Sequence, residues 1–329
     1  MLMIIVVIMM NNACINEPVQ PISFVGEAQG TYYLVTYYDS RSRDLQPKVD
    51  SLLKAFDMSV SLWEPESILS RINRGDTTAS PDDIFKHNFN ISKQIAKETD
   101  GAFDFTIGPL VKAWGFGPLD RSEITPQLID SLSLLVDYRK VNLVNDKVIK
   151  EDPRISFDFN AVAQGHSVDL IAEMLINLNI TNFIVDVGGE VYASGLKPDG
   201  SNWLVGIEEP AGSMHDERVI SKIIKVKDRA IATSGNYRKY YEKDGMRLSH
   251  TIDPKTGYPV DHSLLSVTVM AEDAALADAY ATAFMVMGNL KAIEFMESRA
   301  DLEGYLIWSG EDGNFETYTT DGIKKLFVD

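Results

Sequence analysis

Asp278 and Thr282 stand four residues apart in the alanine-rich stretch DAALADAYAT, residues 273–282. On a helix, positions i and i+4 lie one above the other, so this carboxylate and this hydroxyl share a face. Such hard oxygens suit Mg2+, which takes one or two protein groups and completes its shell with water and substrate phosphate. Small neighbours at Ala277, Ala279 and Ala281 would let that face approach another backbone closely. The alternative is a solvated polar stripe. It fits poorly with a helix that is otherwise nearly all apolar, because a buried carboxylate needs a partner.

Other segments combine turn glycines with oxygen-bearing or aromatic side chains. DFNAVAQG, residues 158–165, reads as a strand running into a helix, and the free N–H groups of a helix start welcome an anion. Asp158 is therefore either a cap for that helix or a carboxylate awaiting a hydroxyl or a ring N–H. GAFDFTIGPLVKAWGFG, residues 101–117, looks too broken by glycine, proline and aromatics to be a helix or a strand. Its end, Trp114-Gly115-Phe116-Gly117, offers an indole beside thinly covered backbone, suited to a planar ring or to stapling a core loop. In HTIDPKTGYPV, residues 250–260, His250 lies at a strand end before the tight turn Pro254–Gly257. A histidine there can be structural, or it can move a proton near neutral pH. Met58–Asn73 is a helix end feeding a Ser-rich loop that presents Trp63.

These residues need a scaffold to bring them together. Gly30–Tyr38 is rich in β-branched and aromatic residues and reads as a strand. Leu45, Val49, Leu52, Leu53, Phe56 and Val60 share one helical face. A helix begins around Ser80-Pro81-Asp82-Asp83, with Ser80 as the cap, and runs to Asp100-Gly101. Thr125-Pro126 opens a short helix, and Val141–Lys150 is a hairpin turning at Asn145-Asp146. Strands are expected at Ile155–Phe159, Phe183–Val187, Trp203–Ile207, Lys222–Ile231, Arg247–Ile252, Leu265–Met270 and, last, Gly304–Trp308. Helices follow Val168–Leu175, Asp273–Met287 and Leu290–Arg299. The mixture lacks strict strand–helix alternation and reads as a single compact α+β unit.

The chain has 329 residues, 45% of them hydrophobic and 24% charged, which are ordinary globular proportions. With 31 Lys+Arg against 48 Asp+Glu the net charge is −17, which argues against a nucleic-acid binder, because such a protein needs clustered Lys/Arg to displace counterions from phosphates. An acidic chain can still hold phosphate if a divalent cation sits between them. One cysteine excludes a disulfide framework and a Cys-ligated zinc site. There is no P-loop, no Gly-x-Gly-x-x-Gly, no His-Glu-x-x-His and no Gly-x-Ser-x-Gly. Met1–Met10 is apolar throughout, too short to span a bilayer but fit for a signal-peptide core. Cys14 follows Ala13, as at a lipoprotein processing site, although no Lys or Arg precedes Arg41. Residues 1–21 therefore read as a leader and short tether, with an inert thiol at Cys14 as the other reading. Residues 22–329 are the working domain.

Taken together and in order, these segments resemble the ApbE-type FAD:protein FMN transferase family. The shared stretches start with Gly30-Thr31-Tyr32 and continue through GAFDxTxGPLVxxWGFG, Asp-x-x-Ala-x-Ala-x-Gly, Val187–Glu190, Ala232–Asn236, His-x-IleAspPro-x-ThrGly and AlaAspAla-x-AlaThr, which ends at Thr282. The resemblance implies an α+β unit related to the tunnelling fold, with FAD in an elongated cleft. It implies transfer of the FMN moiety of FAD to a Thr or Ser hydroxyl of a partner flavoprotein, with AMP released and Mg2+ required. By position, Asp278, Thr282 and the Ala161 carbonyl match the metal ligands. Gln29, Trp63, Trp114, Gly115, Phe116, Asp158, Gln164 and Ile252 fall where the family touches FAD, and His250 matches the histidine proposed to assist catalysis, alongside Asp278. Gln164 stands where many members carry Lys, which replaces a charge contact to phosphate with a neutral hydrogen bond. The rival expectations are a Mg2+-dependent FAD pyrophosphatase, which shares the site, and a non-catalytic flavin-binding envelope lipoprotein. Members of the family commonly act on membrane redox subunits. An envelope location with a lipid anchor at Cys14 is expected accordingly.

Overall fold

Strand β9 (Arg229–Gly235) shows how the molecule is layered, because its side chains alternate between two hydrophobic cores. Ala230 and Ala232 join the main core, while Ile231 joins a second one on the opposite face. The computed structural model describes residues 19–116, 123–210, 219–236, 240–243 and 246–328. Eight of the strands form one sheet, antiparallel at every described pairing, in the order β1 (Pro21–Ala28), β2 (Thr31–Tyr38), β5 (Phe183–Val187), β6 (Glu190–Ser194), β9, β12 (Leu264–Ala271), β13 (Glu303–Ser309) and β14 (Phe315–Thr319).

Helices cover one face of this sheet. α1 (Gln46–Val60), α3 (Asp83–Glu98), α6 (Asn160–Asn177) and α7 (Ala274–Met287) bury Phe56, Phe85, Ile171 and Phe284 against Val35, Val185 and Val269 of the strands. The ribbon of β7 (Trp203–Glu208) and β8 (Ile220–Val226) covers the other face, placing Trp203, Ile207, Ile224 and Val226 against Ile231, Met270 and Ile307. Strands β12 and β9 are flanked on both faces, so beyond the exposed Arg229 at the start of β9 their side chains are small or apolar. The remaining elements are α2 (Ile68–Asn73), α4 (Gly108–Trp114), α5 (Pro126–Ser133), the hairpin β3 (Val141–Val144) with β4 (Lys147–Lys150), the pair β10 (Tyr240–Lys243) with β11 (Met246–Ser249), α8 (Asn289–Glu297) and α9 (Asp321–Lys324). No described helix is long and apolar enough to cross a membrane.

The α+β reading holds, with local differences that have physical reasons. Gly101–Gly117 contains helix α4: its Pro109 sits in the first turn and Gly115, at φ 77°, terminates it. The residues that looked like breakers are that helix's start and stop. Ile155–Phe159 forms no strand: Ser156 makes only an isolated bridge, and Phe159, at φ −101° and ψ 7°, already leads into α6. The Asn73 side chain takes the backbone N–H and C=O of Phe157, at 2.8 Å each, where a neighbouring strand would sit. The stretch Lys222–Ile231 is two strands, divided at Asp228 with φ 51°. Asp82, not Ser80, caps α3, its carboxylate accepting the Phe85 N–H at 2.8 Å. Strand β11 stops at Ser249, and β14 follows the strand expected to be last. Strand β1 was unexpected; its alternation is blurred in the sequence because an apolar residue, Val25, lies on the exposed face and Gly26 on the half-buried one.

Candidate functional site

Gly165 on α6 is the point where the two central helices touch. A β-carbon there would lie 2.2 Å from the Ala274 carbonyl oxygen on α7, so only glycine permits the approach. At this contact the Gly165 N–H donates to Asp278 Oδ2 at 3.2 Å. In an undistorted helix that N–H would be directed at the carbonyl of Ala161. Ala161 instead has φ −90° and ψ 17°, a kink inside α6. The carboxylate of Asp278 is thus brought to the turn whose carbonyl is tilted out of the helical ladder.

Asp278 is buried, with 6% exposure, and among the described residues it forms no ion pair. Burial raises its pKa well above the ordinary carboxylate range, opposed by the single Gly165 N–H. A cation at this point would remove that penalty. One turn on, Thr282 Oγ1 lies 3.4 Å from Ser234 Oγ on β9. The donor set of one carboxylate, one hydroxyl and one backbone carbonyl is hard oxygen throughout and fits Mg2+. No described group of three or more His, Cys, Asp and Glu could hold a metal, so any ion here depends on this mixed set and on substrate oxygens.

Around the N-terminal half of α6 three further residues converge. Asp158 accepts the Asn160 N–H at 2.8 Å, so it does brace the helix start. It is buried, which pushes its pKa up to about 6. A carboxyl so placed suits a ring N–H or a hydroxyl. Gln164 Nε2 donates to the Val187 carbonyl at 2.9 Å, which fixes its amide across the end of β5. Gln29, in the β1–β2 turn at φ 54°, places Oε1 3.5 Å from Ser167 Oγ, and its Nε2 is buried with no hydrogen-bond partner. An unsatisfied buried amide N–H is costly, and a ligand carbonyl or phosphate oxygen would relieve it.

A second group lies around α4. Trp114 is buried with Leu110, Ile129 and Ile252, and its Nε1 donates to the Gly257 carbonyl at 2.9 Å. Of the two roles left open by its sequence, the structure favours the staple: the indole is 6% exposed and its polar edge is committed. Phe116 packs edge-on against His250, ring centroids 6.4 Å apart at 72°. Gly115 ends α4 beside them, whereas Gly117 falls outside the described residues, as does Cys14. Trp63 is 58% exposed and is not gathered with either group by any described ring contact.

One segment links the groups. The Asp158 N–H donates to the Phe105 carbonyl at 2.8 Å, and Ser156 bridges Ile107, so the stretch entering α6 is zipped to the stretch entering α4. Inspection of the sequence did not assign Gly165, Ser167 or Ser234 to the site. Gly165 and Ser234 lie within the quoted motifs, which was the available signal. A surface hollow of about 390 Å3, lined by Trp308, Glu311 and Glu316 among others, includes none of the candidate residues.

A profile of the ApbE family matches residues 29–306. The chain is similar to the FAD:protein FMN transferase of Haemophilus influenzae, with 35% identity over 328 residues, covering 95% of this chain and 93% of that protein. It is 33% identical to the FAD:protein FMN transferase of Vibrio cholerae, covering 94% and 93% of the two chains. Among solved structures, the flavin transferase ApbE from Vibrio cholerae superimposes with a TM-score of 0.84 at 31% identity, covering 94% of this chain and 100% of that one. The apo flavinyl transferase ApbE of Pseudomonas stutzeri gives 0.83 at 31% identity, covering 95% and 98%.

Proposed function

This chain belongs to the ApbE family, and we propose that it transfers the FMN moiety of FAD to a Thr or Ser hydroxyl of a partner flavoprotein, releasing AMP. The observation that carries the reading is Asp278: a buried carboxylate with no ion pair among the described residues, held by Gly165 beside the kinked turn at Ala161. Asp278, Thr282 and the Ala161 carbonyl would hold Mg2+. Bound there, the ion supplies charge neutralisation to a pyrophosphate that a protein of net charge −17 would otherwise repel.

The chain's own residues do the rest. Gln29 and Gln164 offer amides toward phosphate or ring oxygens, and Asp158 offers a carboxyl to a ring N–H. Trp114, Ile252 and Phe116 wall the region that holds His250. Phosphoryl transfer needs chiefly alignment and charge stabilisation. The acceptor oxygen forms a bond to the FMN-side phosphorus while the bond to the AMP phosphate oxygen breaks. His250 takes the hydroxyl proton, which makes it the general base of the step.

The apolar stretch before Cys14 supports an enzyme tethered by lipid at Cys14 and facing the outer side of the cytoplasmic membrane. Mass spectrometry of the mature chain tests this, an unmodified Cys14 counting against it. For the reaction, purified protein is incubated with FAD, MgCl2 and a flavoprotein subunit bearing a Thr-containing acceptor motif, then run on a denaturing gel. Flavin fluorescence on the acceptor band and one AMP per flavin are expected. Free FMN with an unlabelled acceptor would indicate the pyrophosphatase instead, and absence of AMP release would indicate a flavin-binding protein.

A further inference from the structure

Asp169 has no part in the chemistry above, yet it holds the two helices that carry the candidate ligands. It lies on α6 one turn beyond Gly165. Its Oδ1 accepts the Ala274 N–H at 2.8 Å and its Oδ2 accepts the Ala275 N–H at 2.9 Å. These are the first two N–H groups of α7, which have no partner inside their own helix. Asp273, the residue at the N-cap, makes no side-chain capping bond, so Asp169 supplies the cap from the neighbouring helix.

The two helices are therefore gripped at two levels in antiparallel register. Asp169 holds Ala274 and Ala275, and one turn away along each helix Gly165 holds Asp278. Backbone contact at Gly165 leaves no slack between these levels. A slip or tilt of α7 on α6 would separate Asp278 from the turn at Ala161.

We propose that Asp169 is a positioning residue for the metal site: by fixing the first turn of α7 to α6, it sets the spacing of Asp278 and Thr282 from the Ala161 carbonyl. The inference rests on the metal reading above and adds the device that makes it geometrically possible. Asp169→Asn keeps one accepting oxygen but turns an amide donor toward the other N–H.

The test titrates MgCl2 into purified protein by calorimetry, without FAD, and follows folding by circular dichroism. Asp169→Asn is expected to weaken Mg2+ binding about 10–100-fold, the range for lost outer supports of a metal site. The control is Asp82→Ala, which removes the cap of α3, a helix with no candidate ligand; it should lower the melting temperature and leave Mg2+ affinity unchanged. If Asp169→Asn does not fold, Asp169→Ser, with one accepting oxygen, is read in the same way. Unchanged Mg2+ affinity in a folded variant, equal weakening by Asp82→Ala, or failure of both Asp169 variants to fold would each overturn the positioning role. Wild-type protein whose Mg2+ binding is absent, or is insensitive to Asp278→Ala, would overturn the metal reading and the positioning role with it.

Discussion

The indole N–H of Trp114 is hydrogen-bonded to the carbonyl of Gly257 at 2.9 Å, joining two motifs 143 residues apart. Gly257 has φ 77°, and a β-carbon on it would lie 2.6 Å from the Ile129 side chain. The turn is thus clamped between α5 and the indole. It follows directly on Ile252, so the clamp also holds the backbone that leads back to His250.

Trp114→Phe keeps a ring in place and removes the donor. The Gly257 carbonyl is left short of a partner, at a cost of about 1–3 kcal/mol. A lower urea midpoint is expected, with a raised KM for FAD. An unchanged midpoint would mean that the bond carries no weight.

Asp278→Asn should separate stability from function. The wild-type carboxylate is raised in pKa by burial, so a neutral amide of the same shape should increase the melting temperature of the metal-free protein at pH 8. Mg2+-dependent flavin transfer should fall by ~10²-fold or more, because the proposed metal ligand is lost. Retention of full transfer at saturating Mg2+ would refute the ligand assignment.

Asp158 makes a pH prediction. Its carboxyl is pushed up to about 6 from 3.8, so between those values the folded chain holds a proton that the unfolded chain has released. Stability from this group is complete at low pH and is lost as pH rises through that window, by of the order of 3 kcal/mol. Burial moves Asp169 and Asp278 in the same direction. Chemical unfolding of the metal-free protein at pH 4 and pH 7 should show the loss in wild type and a smaller one in Asp158→Asn. Equal losses in the two proteins would place the Asp158 carboxyl in an ordinary environment.

His250→Ala should slow transfer by ~10²–10⁴-fold, the usual worth of a general base, and leave equilibrium FAD binding nearly unchanged. Rapid-quench measurement of AMP release alongside flavin fluorescence titration separates the two quantities. A proportionate loss of binding would make the histidine a wall of the cleft and not a proton acceptor.

Much of this was legible beforehand because periodic patterns are local. The apolar face of α1, the i, i+4 pair on α7 and the Asn145-Asp146 turn can each be read within a short window, and the structure contains all three. What was not legible depends on which element lies opposite. Gly165 is an ordinary helix interior glycine until Ala274 is known to touch it. Ser234 gains a role only from the hydroxyl across from it on α7. Phe157 looked like part of a strand because nothing in its own neighbourhood shows that the amide of Asn73 occupies its ladder positions. Trp114 was ambiguous for the same reason, its partner lying far along the chain.

The order of the sheet has a consequence for how activity arises during biosynthesis. β2 pairs with β5 only after the intervening helices have been made, and β9 pairs with β12, the strand that leads into α7. Gln29, Asp158 and Gln164 meet around α6 without α7, whereas a truncated product that lacks α7 has neither Asp278 nor Thr282. A nascent or clipped chain that ends before α7 would therefore be without the proposed metal site, however much of the sheet it has formed.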